Sequence, residues 1–417
     1  MASSIEHVAV DLGIEVMKKV ALLTSTFFPA IGGVEVGIHN IALRLLERSI
    51  TPVVIAPYSS KTYEHLKDLP YEVHLLPPKI LQLFNLLPFR IATALYSKYY
   101  GYLQKKYDFD FWHITMGYPT GVSFIRFGNE RKIPYLIRCA GWDIQVSDDG
   151  DYGARRDAKI DAIISQNLKN SAALVAISQS VVEDYRNLGV DEEIIIHINN
   201  GVDTGLFAEG NAQISEVCSR YGIPTDHKVF LTVGRNHPKK NYLLLPKIAL
   251  ALTERGLENF TFVVVGGGVT ELEQEIPEQF KRNFVLLESF GVDFTGGSPT
   301  VPHPDLVDLY LSADVFVFPT FIETFGIVLV EAMAAKLPIV ASEVEGCRDL
   351  VEQGKNGFLE HPEDHEAFAQ KILRLLESET EYETMSQNNA VKARQYDWDL
   401  VVDKYIEAYD DQIQGLT

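Results

Sequence analysis

The stretch PTFIETFGIVLVEAMAAKLPIVASEVEG holds two carboxylates in a setting that gives them chemical meaning. Glu331 falls inside TFGIVLVEAMAA, which is otherwise apolar all round, so the pattern predicts a buried helix with one acid in it. A buried carboxylate is costly unless other groups hydrogen-bond to it. Glu323 stands eight residues earlier, just before that helix. Between the two acids, Thr324, Phe325 and Gly326 leave their amides at the predicted helix start, where unpaired N–H groups and the helix dipole form an anion seat. Gly326 also lets a ligand come close to the backbone. An anion seat between two acceptors of hydroxyl hydrogen bonds suits a sugar nucleotide, with the diphosphate in the middle and sugar rings on either side. Taken singly, each acid has an equally good ordinary reading: Glu331 as a satisfied structural carboxylate, Glu323 as a charge favoured by the dipole.

A second group of residues lies in VGRNHPKKN. Gly234 ends an apolar run, and Arg235 and Lys240 follow in the loop. Arginine grips phosphate oxygens with two N–H groups and lysine acts as a point charge, so both could stabilise a departing diphosphate. A solvated basic loop is the plainer alternative. Gly266-Gly267-Gly268 after FVVV is not a dinucleotide fingerprint, because the third glycine of G-x-G-x-x-G would fall on Glu271. It reads equally as a turn beside a nucleotide base or as a simple strand-to-helix turn. Gly32 and Gly33, with Glu35, open another helix whose start could face the same phosphates from the opposite side.

The elements that must position these groups follow a repeating strand, turn and helix pattern from Lys18 onward. KVALLTS and TPVVIA read as strands, with the helix after Gly32-Gly33 between them ending near Arg48. Short apolar runs continue at FDFWHI, PYLIRC, ALVAI and EIIIHI. After Asn200-Gly201-Val202-Asp203 the pattern restarts: strand KVFLTVG, helix NYLLLPKIALALTERG, then strands FTFVVV, DVFVFP and LPIVAS. Such alternation indicates βαβ units and parallel sheets. Two doubly wound halves are expected, with ligands outside the carboxyl ends of the strands. The domains are an extension over residues 1–16, a first domain over 17–205, a second over 206–390, and a last segment over 391–417 whose helix runs from about Trp398 to Gln414.

Taken together these motifs resemble the retaining glycosyltransferases of family 4 (glycosyl transferases group 1), which have the GT-B fold: two Rossmann-like, doubly wound parallel-sheet domains facing a central cleft. The resemblance runs from about Lys18 to the last helix. It rests on Gly32, Gly33 and Glu35 at the first helix, N-G-V-D at 200–203, Gly234-Arg235 with Lys240 five residues on, and Glu323 with Glu331 after the strand ADVFVFP. It implies transfer of a sugar from a UDP- or GDP-sugar to an acceptor hydroxyl, with retained anomeric configuration and no cofactor or metal. Acceptors of the family include lipid-linked and cell-envelope glycans and small molecules. By resemblance Glu331 holds the ribose and Glu323 the donor sugar. Arg235 and Lys240 hold the diphosphate, assisted by amides from Phe325 through Ile327 and Val328. The last helix crosses back onto the first domain. A histidine common in the family before a glycine is here Ala140, followed by Gly141. That histidine orients the donor sugar, so Arg138, Trp142 and Asp143 become candidates for its place. His113, at the end of FDFWHI, matches another family position and is a further sugar or acceptor candidate, although a lone histidine there is more often structural. Two further readings share the architecture: a nucleotide-sugar 2-epimerase and a sugar-nucleotide-binding protein without catalysis.

Composition narrows the partners. The chain has 417 residues and a net charge of -20, which opposes non-specific binding to nucleic acid. Cys139, Cys218 and Cys347 form no C-x-x-C pair, so neither a zinc site nor a disulfide framework is expected. The N-terminus lacks a signal-peptide pattern and no spanning apolar run occurs, so a cytoplasmic enzyme is expected. Residues 79–106 stand apart, with Lys79, Arg90, Lys98, Lys105 and Lys106 and no acid. Ile91, Leu95, Tyr99 and Leu103 recur there at helical spacing. Such a segment could lie on an anionic membrane at the inner face or bind an anionic acceptor; an ordinary helix with a core stripe and solvated lysines fits equally well.

Overall fold

The computed structural model describes residues 17–62, 64–210, 213–294 and 300–415; the extension assigned to residues 1–16 lies outside the described residues. The first sheet contains β1 (Lys19–Thr24), β2 (Thr51–Ala56), β3 (Glu72–Leu75), β4 (Phe111–Thr115), β5 (Tyr135–Arg138), β6 (Leu174–Ala176) and β7 (Ile195–His197). All its strands pair in parallel, in the order β3-β2-β1-β4-β5-β6-β7. The second sheet contains β8 (Lys228–Val233), β9 (Phe260–Val265), β10 (Phe284–Leu287), β11 (Val315–Phe318), β12 (Ile339–Ser342) and β13 (Gly357–Glu360). It too is parallel, in the order β10-β9-β8-β11-β12-β13. This is the GT-B arrangement. In each sheet the strand order reverses beside the first strand, at β1/β4 and at β8/β11, which is where a doubly wound sheet opens a crevice.

Strands β3, β10 and β13 carry little signal in the sequence. Each is four residues long, lies at a sheet edge and is only partly buried in the main, so none gives the long apolar run of a strand covered on both faces. The helix read from NYLLLPKIALALTERG is also shorter than its pattern. A 3₁₀ turn takes Tyr242–Leu244 and the helix proper runs Leu245–Glu254, with Pro246 in its first turn where no amide is needed.

Helix α1 (Gly33–Glu47) and helix α2 (Phe89–Tyr107) cover opposite faces of the first sheet. In the second domain, α3 (Pro304–Ser312) and α4 (Ile327–Ala334) pack on the face that continues into the first domain's core. The last helix, α5 (Trp398–Gln414), lies beside α1 on the first sheet. The Tyr409 ring stacks 4.4 Å from Phe111, and its hydroxyl lies 2.7 Å from His113 Nδ1. Arg48 at the end of α1 binds Asp403 at 2.6 Å. Where the chain passes between domains, its two crossings are laced together. The Val202 amide donates to the Tyr396 carbonyl at 2.8 Å and the Trp398 amide to the Val202 carbonyl at 3.1 Å. A Cβ at Gly201 would lie 2.5 Å from the Trp398 ring, so the linker runs flat against that side chain.

His113 Nε2 is buried with no partner, so Tyr409 provides the ring's one hydrogen bond. Tyr409→Phe should therefore lower stability by about 1–3 kcal/mol, the cost of stranding a buried polar group. Urea denaturation would show this as a lower midpoint; an unchanged midpoint would mean that the Tyr409–His113 hydrogen bond contributes nothing to seating α5.

Candidate functional site

Loops at the carboxyl ends of the two sheets meet around the start of α4. Gly326 caps that helix in the left-handed conformation, φ 86, with no side-chain cap. A β-carbon there would be strained and 2.9 Å from the Leu329 side chain. The amides of Ile327 and Val328 find no protein acceptor among the described residues. The Thr324 amide, in contrast to the sequence reading, is taken: it donates to the Glu323 carboxylate at 3.1 Å. The open anion seat therefore begins at Phe325, whose own side chain is buried. From the first domain, Gly33 lies against this helix start, with its would-be Cβ 3.3 Å from the Ile327 side chain.

Glu323 is buried and paired with Lys240, whose Nζ lies 2.6 Å from Oε2. Burial alone would raise the Glu323 pKa, but Lys240 and Lys239 overcome it and hold the group down to about 2. It is a carboxylate at any ordinary pH. Arg235 is exposed beside it and makes no ion pair among the described residues, its guanidinium approaching Gly32 of the first domain. Gly234 is backed tightly by Gly266: a Cβ on Gly266 would sit 2.0 Å from the Gly234 carbonyl oxygen. That contact lets the loops after β8 and β9 pass each other and brings Gly267 beside the Arg235 side chain. Glu35 is buried, accepts the Thr26 hydroxyl, and has its pKa raised by burial.

Glu331 is 5% exposed. The Tyr310 hydroxyl, from α3, donates to it at 2.8 Å. Burial outweighs that bond and pushes the carboxyl up to about 7. The spare acceptor capacity on Glu331 and its raised pKa mark a carboxylate that would gain from hydroxyl donors.

The four first-domain candidates divide. Trp142 is 42% exposed and free to meet a ligand. The other three are engaged in structure. Asp143 is fully buried and spends its carboxylate on the amides of Gly117, Ala140 and Gly141, shaping the loop rather than facing it. Arg138 is buried at the end of β5 and donates to Asn200 of the linker. His113 is buried under α5, with its pKa driven well below the usual value by burial and by Arg138. Their positions in the strands explain this: His113 and Arg138 point to the sheet face that α1 and α5 cover.

Four residues absent from the sequence reading belong to the site. Gln145 accepts the Thr324 hydroxyl at 2.6 Å across the domain boundary. Tyr152 lies beside Gly141 and Thr324. Lys239 packs on Tyr152, and Tyr310 holds Glu331. Only the doubled lysine of PKKN offered a local signal; the others depend on contacts far apart in sequence. Gly141, φ 124, sits so close to Thr324 that its would-be Cβ would be 2.2 Å from the hydroxyl. The Ala140-Gly141 turn thus rests directly on the anion seat.

Away from this cleft, the basic segment divides differently from its sequence stripe. Ala92, Tyr96, Tyr100 and Leu103 face the core, whereas Ile91 (51%), Leu95 (42%) and Tyr102 (55%) are exposed. Arg90, Lys98, Lys105 and Lys106 are exposed with them. Among the described residues no helix is long and apolar enough to cross a membrane.

Comparison with known proteins bears on the family and the fold. The family described as "Glycosyl transferases group 1" matches residues 215–392, and "Glycosyltransferase Family 4" matches residues 31–206. A D-inositol 3-phosphate glycosyltransferase from Thermomonospora curvata is 30% identical over 239 residues, 56% of this chain and 54% of that protein. One from Catenulispora acidiphila is 28% identical over 262 residues, 62% of this chain and 59% of that protein. The alignment thus spans little more than half the length of these curated relatives. Among solved structures, a glycosyltransferase from Rickettsia africae has a TM-score of 0.75 at 19% identity, covering 95% of this chain and 99% of that one. HepE from Anabaena, solved with UDP-glucose, has a TM-score of 0.72 at 21% identity, covering 94% and 99%.

Glu331 supplies a test of the site's electrostatics. Its folded pKa of about 7 lies above the ordinary 4.5, so the folded chain holds the proton more tightly. Stability is complete at low pH and falls as pH rises from the lower value to the higher. Glu331→Gln keeps the acceptor for Tyr310 but removes this penalty. In thermal melts the variant should gain over wild type at about pH 8 and much less at about pH 5, while its stabilisation by nucleoside diphosphate weakens. An equal gain at both pH values would contradict the charge assignment.

Proposed function

This chain belongs to the group 1 glycosyl transferases of family 4, and on that premise we propose that it moves a sugar from a nucleoside-diphosphate sugar to an acceptor hydroxyl with retention of configuration. The observation that carries the reading is the convergence of Arg235, Lys240 and the free amides at the start of α4 between the carboxylates Glu323 and Glu331. In this reading the diphosphate lies against Ile327 and Val328, and Glu331 accepts from the ribose hydroxyls. Glu323, kept ionised by Lys240, accepts from the donor sugar. Binding by several groups fixes the anomeric carbon near the acceptor and supplies much of the rate gain.

The bond from the anomeric carbon to the phosphate oxygen breaks as the acceptor oxygen forms its bond on the same face. The acceptor proton passes to the departing phosphate, so no protein nucleophile is consumed. Arg235, Lys240 and the helix amides meet the charge that develops on the leaving group, and the proposal adds no cofactor. The named relatives are transferases acting on inositol 3-phosphate, and a structural neighbour was solved with UDP-glucose. Both favour transfer over epimerisation, and a hexosyl donor with a polar hydroxyl acceptor is the working assignment.

Incubation with UDP-, GDP- and ADP-sugars and candidate acceptors should yield one glycoside with the donor's anomeric configuration. Arg235→Ala and Glu331→Ala should each remove the nucleotide-dependent thermal shift or lower turnover at least about a hundredfold, the scale for losing a group that stabilises transition-state charge. Normal turnover in both variants would refute the site.

The exposed face of α2 adds a place of work to this reading. Ile91, Leu95 and Tyr102 beside Arg90, Lys98 and Lys105 form an apolar and basic surface in an acidic protein. It suits peripheral contact with anionic lipid at the cytoplasmic membrane face, near a lipid-linked acceptor. The protein should co-sediment with vesicles containing anionic lipid and not with neutral ones. Lys98→Glu with Lys105→Glu should abolish this while leaving nucleotide binding intact. Absence of sedimentation with either vesicle would retire the membrane assignment alone.

A further inference from the structure

Lys239 is the unassigned group that the structure places most suggestively. It neighbours Lys240 in sequence, yet the two ammonium groups live differently. Lys240 is neutralised by Glu323. The Lys239 ammonium makes no ion pair among the described residues and sits 4.1 Å from the centroid of the Tyr152 ring, which belongs to the opposite domain. An aromatic face attracts a cation without cancelling its charge. The main chain of Lys239 is clamped, its carbonyl accepting the Phe321 amide at 2.7 Å and the Thr320 hydroxyl at 2.8 Å. Gly150 of the first domain packs against its Cβ.

The charged groups around Lys239 are Glu323, Arg235 and Lys240, with His237 on the same turn. Glu323 is paired with Lys240 and Arg235 also faces Glu35 of the first domain, so Lys239 is the ammonium left without a carboxylate of its own among the described residues. We propose that Lys239 is a third phosphate ligand of the nucleoside diphosphate, carried on the Tyr152 ring so that its ammonium reaches the phosphate oxygens when the two domains enclose the donor. This deepens the proposed function and rests on it. Burial, with Lys240 and Arg235 nearby, lowers the Lys239 pKa to about 8 even though Glu323 opposes the shift. That is the state of an ammonium short of negative charge, which an incoming diphosphate would supply.

The test is calorimetric titration of UDP, GDP and ADP, with the corresponding nucleosides as controls, into wild type, K239Q and K239R between about pH 7 and pH 9.5. In wild type, affinity for the cognate diphosphate should fall as pH rises above about 8, because the neutral amine no longer attracts phosphate. K239R keeps its charge across this range and should show no such fall. K239Q should bind the diphosphate about tenfold more weakly near neutral pH, the scale of one charge-assisted contact, with nucleoside binding unchanged and the thermal melt preserved. Equal diphosphate affinity in K239Q and wild type would overturn the inference, as would the same alkaline fall in K239R. Intact diphosphate affinity with a raised acceptor KM in K239Q would overturn it too, reassigning the ammonium to a phosphate on the acceptor. If wild type binds no nucleoside diphosphate, the functional reading itself fails. If wild type binds and transfers while the Lys239 variants are unaffected, only this inference does.

Discussion

The 2.6 Å pair between Lys240 and Glu323 sets the electrical character of the cleft. Two charges withdrawn from water cost several kcal/mol each, and only close contact with good hydrogen bonding recovers that cost. Glu323 secures the recovery by also accepting the Thr324 amide. With Glu323 spoken for by Lys240, Arg235 and Lys239 make no ion pair among the described residues and the first amides of α4 stay open. In a chain of net charge -20 this is a local inversion of sign. An anionic donor thus meets a cationic cleft in an acidic protein, which favours correct docking over loose association.

Backbone approach is the second constraint. Gly141 rests on Thr324, Gly346 on the Glu323 carbonyl, and Gly266 on Gly234, so three of the closest contacts around the site are made where side chains are missing. Side chains there would hold the loops apart and dissolve the seat, since packed interiors give way by only tenths of an ångström. The polar contacts then lock what the glycines permit: Gln145 reaches Thr324 between domains, and Tyr310 reaches Glu331 between helices.

Much of this was legible in one dimension because the chemistry sits in short contiguous stretches. Glu323, Gly326 and Glu331 fall on one strand-turn-helix unit, and Gly234, Arg235 and Lys240 on another, so spacing alone groups them. The β1, β2, β8 and β9 strands were equally plain, each carrying a run of apolar residues as strands covered on both faces do. What stayed hidden was long-range. A histidine at the end of a strand gives no sign of which sheet face it points to, so His113 read as a ligand candidate although it serves α5. Asp143 looked free because the amides it binds are invisible in a sequence. Tyr310 and Tyr152 carry no local motif, and their importance arises only once α3 meets α4 and the two domains touch. On α2 the stripe of Ile91, Leu95, Tyr99 and Leu103 fitted a membrane face and a core face equally, and it splits: Leu103 is buried whereas Ile91 and Leu95 face outward.

The laced crossing at Val202 and Tyr396–Trp398 has a mechanical meaning. A single linker is a swivel and lets one body twist freely against the other. Two linkers pinned side by side act as a door hinge, free to swing about the pinned line but stiff against torsion and sideways slip. With Trp398 packed on Gly201 as the pin, any swing of one domain against the other would be confined to that line.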